Sequence, residues 1–147
     1  MRAHVRPAHR PGPRGWALLP AAVLILALSG LAAGCGSSKP AYCTDASQLK
    51  TSVQDLGNVN INVHDLSSVD TAVSTVQADA EKFATDAKSA YPSQATALKN
   101  SVSGLETAVK SAMSQPSVTT VAAVVSSVTQ VKAAAGSVQS AVKGACQ

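Results

Sequence analysis

The stretch 117–143, SVTTVAAVVSSVTQVKAAAGSVQSAVK, sets Val121, Val124, Val128, Val131, Ala135, Val138 and Val142 at steps of three and four residues. Apolar residues at those steps line one face of a helix; a strand would need them at every second place, and this run does not keep to that. Valine, serine and threonine are poor helix formers, so a helix built from them depends on burying its stripe against neighbours. The only charge inside the run, between Ser117 and Lys143, is Lys132, and Val118 and Val125 stand off the stripe. A helix so weakly polar all round is packed deeply or faces a partner.

Three more runs of the same period precede it. Ala46, Leu49, Val53 and Leu56 form the first. Val69, Val73, Val76, Ala80, Phe83, Ala87 and Ala90 form the second, and Ala95, Leu98, Val102, Leu105, Val109 and Ala112 the third. Punctuation falls between them. Thr44 or Asp45 is expected to cap the first helix, Gly57-Asn58 to stop it, and Ser67 or Ser68 to cap the second. Tyr91-Pro92-Ser93 and Gln115-Pro116-Ser117 part the later helices, and Gly144 stands where a helix end favours a left-handed residue. The short later links force neighbouring helices to run antiparallel. The fold expected is all-α, an up-down-up-down four-helix bundle.

Between the first two helices, residues 57–67 read GNVNINVHDLS, alternating Asn with Val or Ile. That pattern predicts an extended strap with Val59, Ile61 and Val63 turned over the open end of the bundle and Asn58, Asn60 and Asn62 toward solvent. A second echo is LKxSVxxL at 49–56 and again at 98–105, consistent with a duplicated hairpin or with biased composition.

With four helices, the start of the first and the end of the last lie at one pole. Cys43 just precedes the first run and Cys146 just follows the fourth, so a Cys43–Cys146 disulfide is expected. The pair lacks the CxxC spacing of a redox or zinc site.

The N-terminal segment carries Arg2, Arg6, Arg10 and Arg14 with no acid, then an apolar region from Trp16 to Ala33, then Leu31-Ala32-Ala33-Gly34-Cys35. A basic start, an apolar middle and small residues before a cleavage point make a secretory signal. It resembles a bacterial lipoprotein signal with its lipobox, with Ala32 in the place three before the cysteine and Leu31 one further out. The Ala-, Ser- and Val-rich remainder is similar to small lipoproteins of actinobacterial type. The resemblance implies cleavage at Gly34–Cys35 and a diacylglyceryl group (palmitate or a similar acyl chain) on Cys35. The organisation expected is therefore a cleaved signal at 1–34, a lipidated tether at 35–42 and a helical domain at 43–147. Two acyl chains on one residue suffice for stable anchoring, here to the extracytoplasmic face of the cell membrane.

Cleavage changes the electrostatics. The formal charge of +4 leaves with the four arginines, and the remaining eight lysines balance eight acids. A nucleic-acid footprint needs clustered Lys and Arg with aromatics to stack on, and neither is present. His64-Asp65 is the one pair that could enter a metal or Ser-His-Asp site, but nothing beside it in sequence completes a set. Glu106 with Lys110, and Lys82 with Asp86, read as surface ion pairs one helical turn apart. No catalytic, cofactor-binding or metal-binding residue is assigned. The function expected is that of a non-catalytic cell-envelope lipoprotein with a structural or protein-binding role; the alternative is a carrier holding a small apolar or amphiphilic ligand between its helices.

Overall fold

Pro40, not Thr44 or Asp45, opens the first helix in the computed structural model, which describes residues 38–147. Four helices follow: α1 over Ala41–Asn58, α2 over Ser67–Ala87, α3 over Pro92–Ser114 and α4 over Val118–Val142. The first starts a turn earlier than its apolar run because Pro40 already holds an extended backbone and its carbonyl accepts from the Cys43 amide at 2.9 Å. The helix thus takes in Ala41 and Tyr42, and Asp45 becomes an interior residue of it.

The other boundaries obey local chemistry in two ways. Pro92 sits in the first turn of α3, where its missing N–H costs nothing. Ser117 caps α4: its hydroxyl accepts from the Thr120 amide at 3.1 Å, and the Thr120 hydroxyl accepts in return from the Ser117 amide at 3.0 Å. A Ser117→Ala variant should lose about 1 kcal/mol, read as a shifted urea midpoint with unchanged slope. Ser67 and Ser68 do not cap α2. That place falls to Leu66, and the Asp65 carboxylate instead accepts from the Ser67 hydroxyl at 3.0 Å and the Ser68 amide at 3.4 Å. Gly144 is not left-handed either; beyond it the Ala145 and Cys146 amides both bond to the Val142 carbonyl at 3.0 Å.

The link between α1 and α2 starts extended at Val59, and Val59 and Ile61 pack on the core as the alternation predicts, but Val63 does not and Asn62 is half-buried rather than turned to solvent. Its second half turns back. The Asn62 side-chain oxygen accepts from the His64 amide at 2.9 Å and the Asp65 amide at 3.1 Å, and Asn62 and Asp65 form a single antiparallel bridge. Asparagine closing a turn on its own backbone is a local competitor to extended structure, and here it wins.

Each helix packs on its neighbours in chain order, and α4 closes the ring on α1. The seam positions of all four runs are buried except Ala90, which lies in the turn after α2, and Val121, which is half-buried. By register from the pole where α1 begins, these residues stack in layers. Ala46, Phe83, Ala95 and Val138 come level; next are Leu49, Ala80, Leu98 and Ala135; then Val53, Val76, Val102 and Val131; then Leu56, Val73, Leu105 and Val128. Larger and smaller residues alternate round the first, second and fourth rings and the third is four valines, so helices with little side-chain volume still fill the space between them.

The α3–α4 seam is the most extensive and the α4–α1 seam the least. That last seam holds the Cys43–Cys146 disulfide, with Cα atoms 5.5 Å apart, and a bond from the Gln139 side-chain amide to the Ala46 carbonyl. The covalent tie closes the ring where side-chain packing is thinnest.

Candidate functional site

Asp45 is the buried charge of this domain. It lies four before Leu49 on the same stripe of α1, is only 2% exposed, and faces α2. Lys82 of α2 reaches it, with the ammonium 2.9 Å from Oδ1, and also donates to the Gln48 side chain at 3.3 Å. The other carboxylate oxygen, Oδ2, is buried with no donor. Asp86, one turn further along α2, lies near enough for its carboxyl to feel that of Asp45. Two carboxyl groups in contact satisfy each other only when one is protonated. The hydrogen bond to Asp45, then desolvation, then repulsion from the Asp45 charge accordingly push the Asp86 carboxyl above the usual aspartate range. Its own hydrogen bond to Asp45, and then the Asp45 charge, hold the Lys82 ammonium protonated more firmly than usual.

The sequence pairing of Lys82 with Asp86 is therefore corrected: the ion pair is Lys82–Asp45, across the α1–α2 seam. Reading Asp45 as a cap hid it. The signal that finds it is its spacing from Leu49, Ser52 and Leu56, which keeps it on the inward stripe.

The sign of its pH dependence follows. A carboxyl whose folded-state pKa is raised adds stability at low pH and loses that contribution as pH climbs through the raised value. Ionised Asp86 is thus a cost at neutral pH. An Asp86→Asn variant removes the charge repelled by Asp45 at every pH, so its urea midpoint should exceed that of the natural chain at pH 7. The difference should shrink as pH falls through the carboxyl range. An unchanged midpoint at pH 7 would contradict the arrangement.

The other candidates have structural places. His64 is exposed and its backbone belongs to the Asn62 turn; Asp65 serves the start of α2, and those serine contacts hold its carboxyl below the usual range. The hydroxyl bonded to this pair, that of Ser67, donates to Asp65, and among the described residues no group of three or more His, Cys, Asp or Glu is placed to hold a metal. Glu106 and Lys110 form the surface pair expected of them. Cys43 and Cys146 are joined. Cys35, the expected lipidation point, lies outside the described residues.

The outward side of α4 is the remaining feature. Its stripe is buried, but Val118 is 82% exposed and Val125 47%, and Ala122, Ala123, Ala133 and Gly136 also face solvent. Met113, near the end of α3, is 48% exposed. Lys132 is the one charge on α4, and its ammonium turns away toward Gly57 at the end of α1. Comparison with known proteins finds no matching family model, curated protein or solved structure.

Proposed function

We propose that this chain is a non-catalytic, lipid-anchored protein of the cell envelope whose four-helix domain binds another envelope protein. The observation that carries the binding role is the outward side of α4: a 25-residue helix with one charge, exposing valines and small residues through which another backbone could approach closely. The lipobox-like segment ending at Cys35 supports the anchoring. The filled layers between the helices favour a binding module over a carrier, for the larger cavities, about 570 and 510 Å³, are open grooves on the outside of the bundle.

The experiment is photo-crosslinking in intact cells from probes placed singly at Val118 and Val125, against a probe at Lys50 on exposed α1. A defined partner captured from the α4 positions and not from Lys50 supports the reading. Equal capture from both, or none from α4, opposes it. The intact mass of the mature protein tests the anchor separately: an N-terminal Cys35 carrying acyl chains is expected.

A further inference from the structure

The charges of the domain balance in number but not in space. At the disulfide pole stand Lys39, Lys88 and Lys143, all exposed, beside the Lys82–Asp45 pair and one further acid, Asp86. Toward the other end stand Asp55, Asp65, Asp70 and Glu106, against Lys110 and Lys132. Between them the lysines and acids cancel.

The fold brings these three lysines to one pole, two of them in one groove. Lys39 donates to the Cys146 carbonyl at 2.8 Å and shares with Lys143 the open groove beside the disulfide. Lys88 lies in the link from α2 to α3, three residues before Tyr91, and Tyr91 meets Tyr42 edge to face with ring centroids 5.3 Å apart. Among the described residues none of the three lysines is in an ion pair, whereas Lys82 and Lys110 are. Tyr42 and Tyr91 are also the only tyrosines of the chain, both half-buried, and tyrosine suits the boundary between water and lipid.

We infer that the disulfide pole is a docking surface for an anionic bilayer, with Lys39, Lys88 and Lys143 against lipid phosphates and the Tyr42–Tyr91 pair at head-group level. This rests on the anchoring proposed above. Five residues, 36–40, lie between Cys35 and Ala41. Six Cα steps of at most about 3.6 Å reach no further than about 22 Å. A diacylated Cys35 therefore holds this pole, and not the acidic one, near the depth at which surface potential acts, about 8 Å in physiological salt. The acidic end and the link between α1 and α2 then point away from the membrane.

Tyrosine fluorescence reads this pole alone, since Trp16 leaves with the signal segment. The lipidated mature protein is reconstituted on phosphatidylcholine vesicles, with or without phosphatidylglycerol, whose acyl chains are brominated near the head group. Quenching on phosphatidylglycerol vesicles is expected, weaker on phosphatidylcholine alone and weaker in high salt. Replacing Lys39, Lys88 and Lys143 together by Ala should abolish the lipid dependence; replacing Lys110 and Lys132 should not. Unquenched emission from vesicle-bound protein, or equal quenching in the triple variant, overturns the proposal and leaves the anchor standing. A second arm needs no anchor: mature Cys35→Ser protein, whose bundle has its own closed core and disulfide, is sedimented with the same vesicles. Binding to phosphatidylglycerol should weaken about fivefold for each polar lysine removed. No sedimentation with either lipid overturns the surface, and an unacylated mature N-terminus would refute the anchor instead.

Discussion

Replacing both Cys43 and Cys146 by alanine is expected to cost up to about 4.7 kcal/mol of stability, the chain-entropy value for opening a loop of this size. The two cysteines are 103 residues apart, so the cross-link restrains nearly the whole domain in the unfolded state. For a domain near 100 residues that loss corresponds to a melting temperature lower by roughly 20 °C. Both cysteines are changed together so that no free thiol remains to pair wrongly. The double variant should still fold, because the α1–α2, α2–α3 and α3–α4 seams do not involve the cross-link and carry most of the packing. Its weakness should be local. The α4–α1 seam keeps only thin packing and the Gln139–Ala46 bond, so hydrogen exchange in α1 should rise before that in α3. Thermal melts of the two proteins check the size of the effect. A double variant that melts with the natural chain would mean the ring is closed by packing alone.

That seam also shows what the sequence made legible. The stripes of Val, Leu and Ala specify four helices and their inward faces, because burial is the only source of stability open to such poor helix formers. The number of helices then brings Cys43 and Cys146 to one pole, and the disulfide follows from topology. The misses share a cause. Local propensity points to Asp45, Ser67 and Gly144, and each time a neighbour does the work: Pro40 starts α1, the Asp65 carboxylate bonds at the start of α2, and Val142 collects two amides at the end of α4. Asp45 is the costly miss. A carboxylate on an inward stripe is rare, whereas Asp near a helix start is a common cap, and its partner Lys82 lies on another helix, where spacing along the chain gives no hint. The LKxSVxxL echo, by contrast, has a physical counterpart. Leu49, Val53 and Leu56 on α1 come level with Leu98, Val102 and Leu105 on α3, diagonally across the ring, while Ala80, Val76 and Val73 on α2 match Ala135, Val131 and Val128 on α4. The core is built as two similar hairpins facing each other.

Phe83 breaks that similarity, and the second large effect is expected there. It has no exposed surface and is the largest side chain of the core. Its counterpart on α4 is Val138, and by register two alanines come level with it, Ala46 in the core and Ala95 buried beside the groove between α2 and α3. The bulk of one ring thus comes largely from one residue. Phe83→Ala should cost about 3–5 kcal/mol, the usual range for emptying such a site, since four alanine- or valine-sized groups cannot close the space without drawing the helices together. Volume restored from across the ring tests whether the register is right. Ala95→Leu in the natural chain should destabilise by about 1–3 kcal/mol through overpacking against Phe83. Placed in the Phe83→Ala background, the same change should recover part of the loss, giving a coupling energy outside the error of additivity, about 0.3–0.5 kcal/mol. The four urea midpoints decide it. If Ala95→Leu costs the same in both backgrounds, the two positions do not share a layer, and the ring that binds α2 to α3 near the disulfide pole is packed in another register.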